Sequence, residues 1–323
     1  MVPETPLPPL PRWLDDVAGG LPALLDRACG AYLGLAIGDA LGATVEFMTA
    51  REIAHRHGVH REITGGGWLK LPAGEVTDDT TMSLALGEAL RRGAREGRPF
   101  DTRLIGDAFV AWWRGKPVDC GNTCRRGILR YLHHGTLAGP PNDGDGGNGA
   151  VMRNLPVVLA TLGDKTLFER VSLAQAHLTH HHPLSDAATL GTGRLLAAIL
   201  RGEDAAAQQR HIARLLAEAP AFRHAPYPGR ASAYVVDTMQ TVLHFFTTHD
   251  DAEAAIVATV NRGDDADTTG ALVGMLAGAR CGAAALPRRW LAQLRPAVRQ
   301  AVTEQASALV ALALGRPEGH GDD

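Results

Sequence analysis

Two short segments, far apart in the chain, place acidic and hydroxyl side chains directly before an apolar, helix-like run. The first covers residues 77–80 and precedes Ser83–Leu86, and the second covers residues 264–269 and precedes Ala271–Ala277. Aspartate and threonine are favoured at the first turn of a helix, because their oxygens accept from free backbone N–H groups and negative charge suits the helix dipole. Each segment is therefore predicted to begin a helix, and the two could converge on one site.

Carboxylates brought together in this way require cations, because like charges in a partly dry site repel strongly. Oxygen-only ligands suit hard ions, and two Mg²⁺ or Mn²⁺ ions would match the number of acids. Such a centre could bind a sugar diol or a phosphate, or could orient and acidify a water molecule. Spacing alone does not choose among these. The candidate ligands are Asp78, Asp79, Asp265 and Asp267, with the hydroxyls of Thr77 and Thr268.

Two further acids have either a structural or a functional interpretation. Glu46 stands alone between Val45 and Phe47, a setting that is more often a salt-bridged surface position than a functional one. Asp119 follows Pro117 on a loop ahead of a helical run, so it is either a helix N-cap or a catalytic acid. Both acids are kept as candidates for a functional role because the chain also contains the acidic segments 77–80 and 264–269.

A glycine-rich loop and a group of histidines have the composition of a binding pocket. Residues 142–152 contain exposed glycines before a helix, which favours an anion at the helix N-terminus; the loop lacks the bidentate glutamate of a calcium loop. The histidines are either metal ligands or polar pocket lining, and adjacent ones cannot both face one ion from a regular helix. They are His177, His180, His181 and His182.

Two other motifs are weaker. The glycine-rich stretch 64–68 could cradle a phosphate, but it lacks the Lys-Ser/Thr ending of a P-loop. Cys120 and Cys124 are one helical turn apart with no further ligand at zinc spacing, so they are interpreted as small buried apolar side chains.

Composition excludes several classes of function. The chain has 323 residues, a net charge of −3 and 45% hydrophobic residues, which argues against nucleic-acid binding because there is no basic excess. Four cysteines are too few for a disulfide framework, and no run approaches the ~20 apolar residues of a membrane span. The N-terminus has no basic-then-apolar signal pattern. A cytoplasmic location is expected.

Helical periodicity dominates the chain, and strand-like runs are nearly absent. Glycines at 30, 34, 38 and 42 repeat every four residues, which predicts tight packing against another helix. We expect an all-α, single compact domain at residues 23–315, with a flexible proline-rich tail at 1–22 and a polar tail at 316–323. The predicted helices cover 24–41, 79–92, 104–113, 186–200, 206–216, 231–246, 253–260, 269–282 and 288–314.

Six motifs in order resemble the ADP-ribosylglycohydrolase family, in particular its branch that reactivates the nitrogenase iron protein. The resemblance extends over about residues 30–314. The matching stretches are GLAIGDALGATVEF at 34–47, VTDDT at 76–80, PVDCGNT at 117–123, GNGAVMR at 147–153, THHHP at 179–183 and DADTTG at 265–270. One departure is Asp264, where the family has a second glycine before the aspartate; it is interpreted as a solvent-facing extra charge.

The resemblance implies an all-α fold with a dinuclear Mn²⁺ or Mg²⁺ centre held by the six ligands named above. It implies that Asp119 is the acid most directly involved in the chemistry and that Glu46 lies beside the metals. It also implies a pocket for ADP-ribose, with Tyr234 against the adenine. The substrate-binding residues implied in this way are Asn122, Asp145, Gly147, Asn148, Gly149, Met152, His180 and Tyr234.

The implied reaction is hydrolysis of the N-glycosidic bond between ADP-ribose and an arginine side chain. The implied substrate is a mono-ADP-ribosylated protein, the nitrogenase iron protein, with a nitrogen-regulatory PII protein as a possible partner; a host that fixes no nitrogen would offer another arginine-modified protein. A monomer is expected. Which of Asp119 and Glu46 is acid and which is base stays open.

Three alternatives compete with this interpretation. An HD-type phosphohydrolase needs an adjacent His-Asp pair with partner ligands, and His249-Asp250 lies in a polar turn without them. A hydrolase acting on another ADP-ribosyl linkage would carry the same motifs. A non-catalytic ADP-ribose-binding module is disfavoured because every acid that the chemistry needs is present.

Overall fold

Two helices, Gly20–Gly42 and Ala266–Cys281, form the centre of the molecule. Most of the acids predicted above lie at the start of the second of these helices and at the start of a third, Asp78–Arg95. The computed structural model describes residues 9–316, which form fourteen α-helices and no strand. The all-α prediction is confirmed. The helices are α1 Gly20–Gly42, α2 Ala50–His57, α3 Asp78–Arg95, α4 Thr102–Arg114, α5 Asn122–His134, α6 Leu155–Ala160, α7 Lys165–His177, α8 Pro183–Leu200, α9 Ala205–Glu218, α10 Val235–Thr248, α11 Ala252–Val260, α12 Ala266–Cys281, α13 Arg288–Gln293 and α14 Pro296–Ala313.

Backbone contact between glycines sets the distance from α1 to α12. A Cβ added at Gly34 would meet the backbone of Gly274, and a Cβ added at Gly38 would meet the backbone of Gly270. The pairing runs in opposite directions along the two helices, so they are antiparallel. The predicted tight packing is confirmed, because no side chain larger than hydrogen fits between these two backbones.

The remaining helices enclose this pair. Helix α11 packs on α12, α14 packs on α1, α3 and α6, and α4 packs on α3. Helices α7 and α8 pack on each other, and α8 also contacts α9 and α12. The N-termini of α3 and α12 are thereby held at the same end of the core.

Several predicted helix boundaries are shifted by three or four residues. Helices α1, α8 and α12 begin earlier than predicted, at Gly20, Pro183 and Ala266. The helix predicted at 231–246 begins only at Val235, because its N-cap Tyr234 has an extended backbone. The helix predicted at 288–314 is two helices, since the residue before Pro296 is pushed out of the helical region.

Two helices, α2 and α7, were not predicted. Helix α2 has a capping box formed by Thr49 and Glu52, which is a local sequence signal. The helix predicted after the glycine-rich loop 142–152 is confirmed as α6, a short and fully buried apolar helix.

The division of the chain into tails and domain stays a prediction. Residues 1–8 and 317–323 lie outside the described part of the chain. Before position 23, Arg12–Asp16 form a 3₁₀ helix, Leu14 is buried and α1 begins at Gly20, so packed structure starts earlier than the predicted boundary.

Candidate active site

The two acidic segments meet at the N-termini of α3 and α12. The Thr77 hydroxyl lies 3.3 Å from Asp267 Oδ2 and 3.4 Å from Asp79 Oδ2. The Thr268 hydroxyl donates to Asp79 Oδ2 across 3.1 Å. Residues almost two hundred positions apart thus share one cluster. All six predicted ligands belong to it or border it.

Glu46 joins this cluster from the segment that follows α1. Carboxylate oxygens of Glu46, Asp265 and Asp267 lie within 4.8 Å of one another. The indole Nε1 of Trp68 donates to Glu46 Oε2 at 2.6 Å, and the Glu46 side chain is buried. Glu46 is therefore held in place at the edge of the acids rather than on the surface.

Burial and mutual repulsion make these carboxylates hard to ionise. Burial raises the pKa of Asp265 to about 6, of Asp78 to about 7 and of Glu46 to about 8, and neighbouring acids add to each rise. Burial and neighbouring carboxylates also raise the pKa of Asp79 and Asp267 well above the ordinary range. A bound cation would remove both penalties by neutralising the ionised forms.

The donor set fits a divalent cation. Asp79 Oδ1 is buried and has no hydrogen-bond partner, although a buried carboxylate oxygen normally has one. The surrounding donors are carboxylate and hydroxyl oxygens, which hard ions prefer. These acidic groups can bind metal.

A cavity of about 450 Å³ opens directly above the acids. Asp119 lies in its wall just before α5, and the backbone N–H of Gly121 donates to Asp78 Oδ2 at 3.3 Å. Of the predicted substrate-binding residues, seven line this cavity: Asn122, Gly147, Asn148, Gly149, Met152, His180 and Tyr234.

The glycine-rich loop connects the cavity wall to the acids. The Asn148 amide donates to Asp265 Oδ2 and to the Thr238 hydroxyl, at 2.5 and 3.0 Å. Gly149 lies so close to His180 that a Cβ would stand 2.7 Å from the ring. Burial lowers the pKa of His180 well below its ordinary value, so this ring is neutral and its Nδ1 pairs with the Thr179 hydroxyl at 2.8 Å.

Asp145 does not line the cavity. Its buried carboxylate pairs with Arg126, and it accepts from the backbone N–H of His181 at 3.3 Å. Asp145 therefore fixes the loop from behind. Unlike the buried Asp145, Tyr234 lies at the cavity mouth, where 48% of its surface is exposed.

A fully buried cation lies beneath the same cavity. The Arg153 guanidinium donates to Gln175 Oε1 at 2.8 Å and to the Thr179 hydroxyl at 2.7 Å, and it stacks 4.5 Å from the Phe109 ring centroid. It also contacts Cys124 Sγ, which lines the cavity. These neutral groups hold the charge in place.

Comparison with known proteins assigns the family. The family model described as ADP-ribosylglycohydrolase matches residues 21–318. The chain belongs to the ADP-ribosylglycohydrolase family.

Two relatives in this family are similar over 80% or more of their length. The chain is 52% identical to an ADP-ribosyl-[dinitrogen reductase] glycohydrolase of Rhodospirillum rubrum, over 90% of this chain and 98% of the relative. It is 32% identical to the ADP-ribosylarginine hydrolase Tri1 of Serratia proteamaculans, over 88% and 80%. A solved structure described as an ADP-ribosylglycohydrolase-related protein complex has a TM-score of 0.78 at 34% identity, over 91% of this chain and 100% of the other.

One residue of this ADP-ribosylglycohydrolase site was missed at the sequence level. Asp39 on α1 is fully buried and accepts from the backbone N–H groups of Thr77 and Thr80, at 2.9 and 3.1 Å, and from both hydroxyls, at 3.0 and 2.5 Å. Thr77 makes no side-chain cap of its own, so Asp39 caps α3 from another helix. An acid inside a glycine, alanine and leucine helix was the available signal.

His177, His181 and Asp186 form a second group, outside the cavity, whose ligand atoms lie within 4.8 Å of one another, close enough to share one cation. His177 Nε2 lies 3.0 Å from both Asp186 carboxylate oxygens, and the ring of His181 stacks on that of His177. His182 Nδ1 accepts from the N–H of Leu184 and caps α8. The cysteines within the described residues are free thiols. No helix in residues 9–316 has the length and apolarity to cross a membrane.

Proposed function

We propose that the protein is a metal-dependent hydrolase that cleaves the N-glycosidic bond between ADP-ribose and an arginine side chain of a modified protein. The observation that carries this proposal is the convergence of two acidic helix starts with Glu46 and Asp119 on one cavity, beside a glycine-rich loop. The 52% identity to a glycohydrolase over 98% of that relative supports the same reaction.

Two Mn²⁺ or Mg²⁺ ions would be held by Thr77, Asp78, Asp79, Asp265, Asp267 and Thr268. The unpartnered Asp79 oxygen and the raised pKa values of the carboxylates support a resident cation here. When bound, the ions supply positive charge that holds the two vicinal hydroxyls of the distal ribose and so fixes its anomeric carbon.

Side chains of the protein then donate and accept the protons of the reaction. Cleavage requires a proton on the leaving guanidine nitrogen and removal of a proton from the attacking water. We assign these two roles to the pair Asp119 and Glu46. The other cavity acid that is not among the proposed metal ligands, Asp143, is exposed on the glycine-rich loop. Trp68 holds the Glu46 carboxyl toward the cavity through its indole N–H.

The rest of ADP-ribose fits the other part of the cavity. The backbone N–H groups of Gly147 and Gly149 suit the diphosphate, whereas that of Asn148 donates to the Ala233 carbonyl at 3.1 Å. The exposed Tyr234 ring suits the adenine face. Neutral His180 and Met152 would line the sugar and phosphate path, and Asn122 would contact them from the start of α5.

The protein substrate follows from the most similar relative reported above. We propose the nitrogenase iron protein as the modified partner, since the Rhodospirillum rubrum relative is named for action on dinitrogen reductase. A PII regulatory protein is proposed as a second partner. We propose a cytoplasmic location, which agrees with the free thiols of the described residues. We also propose that the protein is a monomer.

The test is release of ADP-ribose from a protein or peptide carrying mono-ADP-ribosylated arginine, with Mn²⁺ and then with chelator. An Asp119→Ala variant is expected to lose the release, whereas Asp143→Ala, an exposed acid of the same cavity, is the matched control. Absence of release under every metal condition, from protein that still binds ADP-ribose, would replace this proposal by another linkage or by a binding module.

A further inference from the structure

A second cavity of about 610 Å³ adjoins the active-site cavity. The two share Glu46 and Phe47 as a common wall. The second cavity is otherwise lined by Glu52, Arg56 and His57 of α2, by Thr44 and Met48, and by the glycine-rich loop 64–67 with Trp68. Neither Tyr234 nor the loop at Gly147–Gly149 reaches it, so nothing proposed for ADP-ribose uses this space.

Two exposed aromatic rings stand where the cavities meet. Phe47 is 61% exposed and Trp68 is 51% exposed, and their ring centroids are 5.3 Å apart at an interplanar angle of 50°. Large aromatic side chains are normally buried, and exposed ones that lie together indicate a binding surface. The two rings form what we call the aromatic pair.

The aromatic pair is held rigidly. Phe47 adopts a positive φ of 62°, and its backbone N–H donates to the carbonyl of Asp264 at 2.7 Å, while Asp264 donates back to Met48 at 2.8 Å. Such strained conformations cluster at functional sites because the surrounding structure must enforce them. The Trp68 ring is fixed by its bond to Glu46.

The loop that carries Trp68 is also tightly built. Gly65, Gly66 and Gly67 all have positive φ, and Gly66 and Leu71 exchange backbone hydrogen bonds of 2.7 and 2.9 Å. A Cβ at Gly67 would strike the carbonyl of Ala43. The loop is thus a fixed support for an exposed indole. This role accounts for the glycine-rich stretch 64–68 without phosphate binding.

The position of the acids gives the substrate a direction. With ADP-ribose between Tyr234 and the acids, its anomeric carbon lies near Glu46, and the leaving group extends past Glu46 toward Phe47 and the second cavity. In an arginine-linked substrate that group is a planar guanidinium. A guanidinium is recognised by aromatic faces and by a carboxylate, and this junction presents both.

We propose that Phe47 and Trp68, with Glu46, form the subsite for the guanidinium of the modified arginine, and that the polypeptide carrying it occupies the second cavity. This inference rests on the proposed function. It adds the side of the site from which the protein substrate enters and the two side chains that recognise it.

The test is binding of a short arginine peptide and of its citrulline counterpart, which has the same shape without the charge, to protein saturated with ADP-ribose. Wild-type protein is expected to prefer the arginine peptide by about threefold to thirtyfold, the range for one cation–π contact. Trp68→Ala and Phe47→Gly are each expected to weaken the preference, and the variant that carries both changes is expected to abolish it. Phe47→Gly removes the ring without adding backbone strain, because glycine adopts positive φ freely.

Two further variants make the result specific. Trp68→Phe keeps an aromatic face but loses the indole bond to Glu46, so it should retain most of the preference. Val59→Ala changes an exposed apolar residue outside both cavities and should retain all of it. No preference in wild type, or a preference that survives both ring deletions, would overturn the subsite. Because this binding assay involves no hydrolysis, its failure is distinct from failure to release ADP-ribose.

Discussion

Replacing Gly38 by alanine tests whether backbone contact between α1 and α12 sets the geometry of the metal site. The added Cβ would collide with the carbonyl of Gly270 and lie 2.7 Å from the backbone nitrogen of Ala271, whereas real Cβ atoms essentially never come within 3.0 Å of such atoms. Backbone atoms cannot rotate away as a side-chain end can. The two helices must therefore move apart.

The cost can be estimated from this collision. Overpacking a core costs about 1–3 kcal/mol, and opening a gap of about 0.5–1 Å forfeits a quarter to a half of the dispersion energy between the facing atoms. We expect a loss near the upper limit, about 3 kcal/mol, which corresponds to a fall in Tm of about 5 °C for a chain of this length. Asp39 follows Gly38 directly and Thr268 lies two residues before Gly270, so the shift also displaces the site.

Two measurements check this expectation. Thermal unfolding in chelator gives the change in Tm, and titration with Mn²⁺ gives the change in metal affinity, which we expect to weaken about tenfold or more, or about 1.4 kcal/mol. Gly115→Ala is the matched control: its φ is −67° and its added Cβ would meet nothing closer than 3.1 Å. If the Gly38 variant matched the Gly115 variant in both quantities, the reasoning would be refuted.

Three other predictions concern the charges of the site. Asp39→Asn should destabilise the Mn²⁺-loaded protein by about 2 kcal/mol, because an amide N–H₂ would face donors of Thr77 or Thr80. The loss should be smaller in chelator, where removing one charge relieves repulsion among the acids. Equal losses in Tm with Mn²⁺ and with chelator would contradict this prediction. Asp264→Gly should raise the free energy of unfolding in chelator by about 0.5–1 kcal/mol. Asp264 has a φ of 60°, which glycine adopts more easily, and its charge raises the pKa of Asp265. A lower Tm for the variant would contradict this prediction. The pKa values of Asp265, Asp78 and Glu46 are raised to about 6, about 7 and about 8, above the value of about 4 in an unfolded chain. The metal-free protein should therefore lose stability as pH rises from about 4 to about 8, and the gain in Tm from Mn²⁺ should grow over the same range. A Tm gain independent of pH would argue against the site.

The elements that depend on local sequence were predictable. Aspartate and threonine before an apolar run marked the starts of α3 and α12, and the four-residue glycine repeat marked the face of α1 that meets α12. These signals hold because capping and close helix packing depend on residues a few positions apart. The prediction of which loop residues line the cavity came from family motifs and not from residue spacing.

The links between distant segments were not predictable in the same way. Asp39 caps α3 from another helix, Asn148 holds Asp265, and Trp68 holds Glu46. In each case the partner lies more than twenty positions away, so no local pattern records it. The α13–α14 break was visible at Pro296 and was overlooked.

Arg153 attracts anions to the cavity by long-range electrostatics, without direct contact. Its guanidinium is fully buried, its hydrogen-bond partners are neutral and Asp78 is a charged neighbour. Because it is buried, its field is weakly screened by dissolved salt. A diphosphate entering above it would be steered inward from the moment it leaves bulk water. Affinity for ADP-ribose should therefore depend less on ionic strength than it would if surface arginines supplied the positive charge.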